Sequence, residues 1–177
     1  RSRKRRPGRR GAIVVLVAIC LPILLIMAAF AVNLAYIELA RSELRTATDA
    51  AARAAGRTLS LTHDPSDSVS ASKDAASRNV VGGVPLRRDD SDIELGTANR
   101  ASDAVRFDYT PGGDQPNSVR VVGQLAPDSR TGVLRLPFDR VFNQSHFGAT
   151  KTALATQIDR DFALVLDRSG SMAYDID

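Results

Sequence analysis

A chain of 177 residues holds one domain of ordinary size or two small ones, and a single cysteine, Cys20, excludes an internal disulfide framework. The net charge of +4 misleads: seven of the 24 Lys and Arg residues lie in the first ten positions, and all 20 acidic residues lie at Glu38 or beyond, so the remainder carries 17 basic against 20 acidic residues. A main body of that balance, without a basic patch interleaved with aromatics, argues against nucleic acid as a partner and leaves the basic tail as the one segment that could touch it.

From Gly11 to Ile37 no residue is charged. Crossing the hydrocarbon core of a bilayer takes about 20 apolar residues as a helix, so this run is long enough to span with some tilt. It shows no polar face before Asn33, unlike the core helix of a soluble domain. Pro22 is tolerable in lipid, with a kink expected, and Tyr36 suits the outer interface. The basic cluster precedes the span and Glu38-Leu39-Ala40-Arg41 follows it, which places the N-terminus in the cytoplasm. Ala29-Phe30-Ala31 fits a signal-peptidase pattern, but the apolar run exceeds the usual signal core, which favours an uncleaved anchor.

Helical character continues past the span. Residues 38–60 are rich in Ala, Leu, Glu and Arg, with Leu34, Ile37, Leu44, Ala47, Ala51, Ala54 and Ala55 at three- and four-residue steps. Glu38–Arg41 and Asp49–Arg53 have ion-pair spacing, whereas Glu38 and Glu43 precede Ser42 and Ala47 at the four-residue step and make no ion pair there. Gly56 can end or weaken the helix, and His63-Asp64-Pro65 ends it. The small-residue stripe fits packing against the following domain, with helix–helix assembly as the alternative.

Three stretches carry a resemblance: Arg10-Gly11-Ala12-Ile13 at the start of the span, Val32-Asn33-Leu34-Ala35 near its end, and Leu44-Arg45-Thr46-Ala47-Thr48-Asp49-Ala50-Ala51-Ala52 beyond it. Together, over roughly residues 9–60, they resemble the N-terminal segment of TadE/TadG-like proteins of Flp-type pilus assembly. That resemblance implies a pseudopilin-like, membrane-anchored component of a bacterial inner membrane, with its C-terminal part outside the cytoplasm. The family often has an acidic residue where Asn33 stands. A prepilin carries Glu five positions after its cleavage-site Gly, whereas the fifth residue after Gly11 is Leu16, so no prepilin-type processing is expected.

Beyond residue 60 the composition turns to Ser, Asp, Gly and Pro. A short helix is expected between Asp67 and Val81, capped by Ser68 or Ser70, with Ala71, Ala75 and Ala76 on one face. Val81-Gly82-Gly83-Val84-Pro85 reads as a turn. Alternating runs at Asp92–Leu95, Val105–Tyr109, Ser118–Val122, Gly132–Leu136 and Thr150–Ile158 predict four to six short antiparallel strands with one polar face. Their apolar face needs a cover, and the Ala-rich helix is the nearest candidate. His63 and His146 stand in polar, loop-like sequence and read as surface residues.

Phe162-Ala163-Leu164-Val165-Leu166 is an apolar run followed by Asp167-Arg168-Ser169-Gly170-Ser171-Met172. A buried strand ending in Asp-x-Ser-x-Ser resembles the opening of a von Willebrand factor type A domain and its metal-ion-dependent adhesion site. By that resemblance Asp167, Ser169 and Ser171 would ligate Mg²⁺ in a full-length protein; one carboxylate and two hydroxyls are hard oxygens of the kind this ion takes. Only the first strand and loop of such a domain are present before Asp177, so the chain reads as a truncated piece in which no bound metal is expected.

The expected fold class is therefore α+β. A long N-terminal transmembrane and Ala-rich helix (residues 1–60 with the tail) packs on a small antiparallel sheet (61–160), followed by the first strand of an incomplete α/β domain (161–177). The expected function is that of a pilus-assembly-like membrane protein that presents an adhesion domain to protein partners of the envelope or pilus machinery. The alternative is a general envelope scaffold or sensor unrelated to pili. An enzyme is not expected, since no residue set forms a catalytic relay and the Gly-x-Ser-x-Gly elbow is missing.

Overall fold

The computed structural model describes residues 10–100, 107–143 and 146–157. The first helix, α1, runs from Arg10 to Thr62 through Pro22. Its N-terminal half is largely exposed: Ile13, Leu24 and Phe30 are among many large apolar side chains open on it, Leu24 at 61 %. From Ala40 onward the same helix is a core element, with Ala40, Leu44, Ala47, Ala51, Ala55 and Leu59 buried. The stripe thus packs against the following domain. Leu34, expected on it, is exposed instead, and Asn33 takes the inward position beside it.

Three adjacent residues end α1 and start the next helix. His63 adopts a left-handed conformation (φ 56°), and its N–H donates to Leu59 O at 3.0 Å, which closes the last turn. Asp64 then caps helix α2, Pro65–Ser77, accepting from the Ser66 N–H and hydroxyl, both at 2.7 Å. Those bonds hold its carboxyl below the ordinary pKa. The helix starts two residues earlier than the alanine pattern indicates, and its cap is Asp64 rather than Ser68 or Ser70, because Pro65 is pre-set for the first helical position. Its buried face is Ser68, Ser72 and Ala76. Ser68 can face inward because its hydroxyl donates to Ala55 O on α1 at 2.9 Å.

A hairpin follows, β1 (Val80–Val81) and β2 (Val84–Pro85), turned by Gly82 and Gly83 with φ of 57° and 85°. Positive φ at both central positions is the requirement of the tight turn that suits a hairpin's twist. A single 3-10 turn at Asp90–Asp92 leads into the main sheet. That sheet comprises β3 (Ile93–Asn99), β4 (Asp108–Pro111), β5 (Ser118–Leu125) and β8 (Ala149–Thr156), in the order β4-β3-β5-β8 and antiparallel throughout. Between β5 and β8, strands β6 (Leu134–Arg135) and β7 (His146–Phe147) pair separately, with a helical turn α3 (Asp139–Phe142) after β6. The expected single run of strands therefore divides into one four-stranded sheet and two small ribbons, and the Gly132–Leu136 strand shrinks to two residues.

Alternation decides which face is covered. On β5, Val119, Val121, Gly123 and Leu125 point inward, while Arg120 pairs with Glu94 and stacks its guanidinium 4.9 Å from the Tyr109 ring centre on the outer face. The C-terminal half of α1 lies across β5 and β8, and α2 packs beside α1. This fit depends on two glycines. Gly56, read as a possible helix end, stays helical and lets β8 approach; a Cβ there would stand 2.8 Å from Ala155 Cβ. A Cβ on Gly123 would collide with the Thr48 hydroxyl and lie 3.1 Å from Thr48 Cβ. Beside Gly123 sits Arg88, 4 % exposed, whose guanidinium reaches no nearer than 3.8 Å to Asp92. Burial lowers its pKa, and Asp92 works in the opposite direction.

Candidate functional site at the junction of anchor and head

The sequence-predicted metal residues Asp167, Ser169 and Ser171, and the apolar run before them, lie outside the described residues. Among the described residues no group of three or more His, Cys, Asp and Glu could hold a metal. His63 and His146 are both exposed.

What the fold does bring together is a row of polar side chains on α1 with the backbone of the head loops. Asn33, Tyr36 and Glu43 stand three and seven residues apart, on the helix face that carries Ala40 and Ala47. Asn33 Oδ1 accepts from the Phe138 N–H at 3.0 Å, and its Nδ2 lies 3.5 Å from the Phe138 carbonyl, so one amide meets both polar groups of one residue. The Tyr36 hydroxyl donates to Gly82 O at 3.2 Å, and Glu43 Oε2 accepts from Gly82 N at 2.7 Å. Both loops come from sequence far downstream, and each presents backbone groups that no strand ladder satisfies. Placing side-chain partners on α1 fixes the height and rotation of the head on its helix.

These three residues were legible only in part. Tyr36 reads as an interface aromatic, Asn33 as a departure from an acidic position, and Glu43 as an acid without a helical ion-pair partner. The signal that joins them is their common helix face, since polar residues on an otherwise small, inward stripe need partners. An acid at position 33 could accept from the Phe138 N–H but could not donate to its carbonyl; an amide does both. Replacing Asn33 with Leu should therefore weaken the junction locally by about 1–3 kcal/mol. Hydrogen exchange on the full chain in detergent should show the Phe138 amide exchanging roughly tenfold faster or more, with residues 44–59 of α1 unchanged, since 1.4 kcal/mol corresponds to a factor of ten. Unchanged exchange at Phe138 would mean that Asn33 does not hold the loop.

Beside this row, Glu38, Arg41, Ser42 and Arg45 face Phe147 and Lys151 across an open polar cleft. Arg41 pairs with Glu38, at the spacing expected from the sequence, and lies 4.9 Å from the Phe147 ring centre. Charges this exposed are well hydrated, and the cleft holds no positioned acid–base pair.

A helix whose apolar half is largely exposed, touched among the described residues only near its C-terminal end by the 138–142 turn, and whose other half forms the core of a small α+β head has the form of a membrane anchor with its head attached. Residues 11–58 match the family model described as putative Flp pilus-assembly TadE/G-like, a stretch that lies wholly within α1. No curated protein and no solved structure matches the chain.

Proposed function

We propose that the protein is a single-pass component of a Flp-type pilus-assembly apparatus in a bacterial inner membrane. Its N-terminus lies in the cytoplasm and its head outside. The observation that carries this reading is the coincidence of the family match at 11–58 with a helix that is exposed and apolar in one half and head-bearing in the other. Seven basic residues in the first ten positions, against Arg41 and Arg45 in the ten after Ile37, support the orientation. Its role in this reading is structural and interactive, and the support is the set of polar contacts at the junction that join helix to head. Deletion of the gene in a piliated host should abolish surface pili, counted by electron microscopy. The full chain should restore them, and a chain lacking residues 13–32 should not. Pili that persist at normal number would favour an envelope scaffold unrelated to pili.

The finer part of the reading is that residues 161–172 begin a von Willebrand factor type A domain. The support is the apolar run leading into Asp167-x-Ser169-x-Ser171. These residues would hold Mg²⁺, which prefers few protein oxygens in near-octahedral geometry, and the ion would offer a partner's carboxylate a binding point. In a form of the protein that continues through a complete domain of this type, calorimetric titration should show saturable Mg²⁺ uptake that Asp167→Ala abolishes. Ser169→Ala and Ser171→Ala should each weaken it less, because a hydroxyl carries no charge. Uptake indifferent to Asp167→Ala would leave the motif a look-alike.

A further inference from the structure

The turn α3 carries its large apolar side chains outward. Phe138 is 39 % and Val141 50 % exposed, and Phe142 is half-buried with its ring edge-on to that of Phe30 at 5.9 Å. Phe138 and Val141 complete an apolar hollow of about 310 Å³ with Leu25, Ala28, Ala29 and Val32 of α1. The height of this contact is set by helix geometry. At 1.5 Å per residue, the stretch from Ile13 to Val32 spans about 30 Å, the thickness of a hydrocarbon core. Phe30 and Val32 stand at its outer end, so α3 lies where acyl chains give way to headgroups. Its apolar surface runs without interruption into that of the helix, whose Leu25, Ile26, Phe30 and Val32 are exposed.

Backbone that enters a poorly hydrated layer needs protein partners for its polar groups. Asn33 supplies them for Phe138. Asp139 and Arg140, adjacent on the turn, balance each other in charge, so nothing on it selects an anionic surface. Phenylalanines at this level favour the interface, whereas in water such a patch would be an adhesive surface.

We propose that the turn at residues 138–142 is a second, monotopic membrane contact, in which Phe138, Val141 and Phe142 sit in the outer edge of the bilayer beside the spanning helix. The occupant of the exposed face is phospholipid, held by apolar contact rather than by charge. The head is then fixed to the membrane at two points, which sets the direction in which the β4-β3-β5-β8 sheet faces along the membrane. The inference rests on the anchor reading above.

The chain has no tryptophan, so one introduced indole reports alone. Leu24→Trp places it mid-span, Val141→Trp on α3, and Leu154→Trp on exposed β8. Each full chain is reconstituted into phosphatidylcholine vesicles brominated either near the glycerol end or near the methyl end of the acyl chain. Leu24→Trp should lose most emission with deep bromine. Val141→Trp should shift to the blue and lose most emission with shallow bromine, equally at low and high salt. Leu154→Trp should emit as in water and lose nothing. Quenching of Leu24→Trp with none for Val141→Trp overturns the second contact while leaving the anchor. A blue shift of Val141→Trp without quenching also overturns it, in favour of a protein neighbour. No quenching of Leu24→Trp overturns the anchor and the inference with it.

Discussion

Gly123→Ala should lower the stability of the head by about 3 kcal/mol, the upper end of the overpacking range. The glycine is the point of closest approach between α1 and the centre of the sheet. The added methyl would meet the Thr48 hydroxyl, with Thr48 Cβ at 3.1 Å and Arg88 Nη2 at 3.0 Å. Rotating Thr48 does not clear the space, because its Cβ is part of the obstruction. That hydroxyl also donates to Leu44 O at 2.7 Å, which holds it in place. At about 2–4 °C per kcal/mol for a domain of this size, the melting temperature of the full chain in detergent should fall by roughly 6–12 °C. Combining Gly123→Ala with Thr48→Ala should recover part of the loss, since touching sites are coupled. Simple additivity of the two changes would mean that α1 and β5 are not pressed together there.

An alkaline phosphatase fused at Asp177 should be fully active in cells, because that enzyme matures only outside the cytoplasm. Neutralising the seven basic residues of the first ten positions should remove most of this activity, since the bias of Lys and Arg across the span sets its direction. N-terminal sequencing of the membrane fraction should find no new terminus at Ala12 or Val32. A terminus at Val32 would turn the span into a cleaved signal and would cut α1 beside Asn33, releasing the head from its anchor. An inactive fusion with the intact tail would reverse the orientation.

Local chemistry made much of the fold legible. The end of α1 at His63-Asp64-Pro65 could be read because a proline stops the helix through its own backbone, whereas the alanine pattern points to Ser68 or Ser70 and not to Asp64 as the cap of α2. The strand at Ser118–Val122, which the structure extends to Leu125, could be read because alternation of Val with Arg reports one covered face. The tightness of the helix–sheet approach could not, since Gly123 looks like any strand glycine until Thr48 is known to stand above it. Nor could the inward serines of α2, because hydrophobic periodicity counts apolar atoms, whereas Ser68 is buried by virtue of a hydrogen bond to Ala55 O.

The junction divides in the same way. By itself the sequence determined that a long uncharged helix would continue into an Ala-rich one, that an antiparallel sheet would follow, and that the helix would cover it. Burial patterning within each segment is enough for these. Only the tertiary structure decided that Asn33, Tyr36 and Glu43 are joints rather than a departure, a ring and an unpaired acid. Their partners, Phe138 and Gly82, lie between 39 and 105 residues away. A partner that distant leaves no mark on the local periodicity of either segment, and backbone groups are the same at every residue. The pairing exists because the folded chain places an unsatisfied loop backbone against one face of the helix.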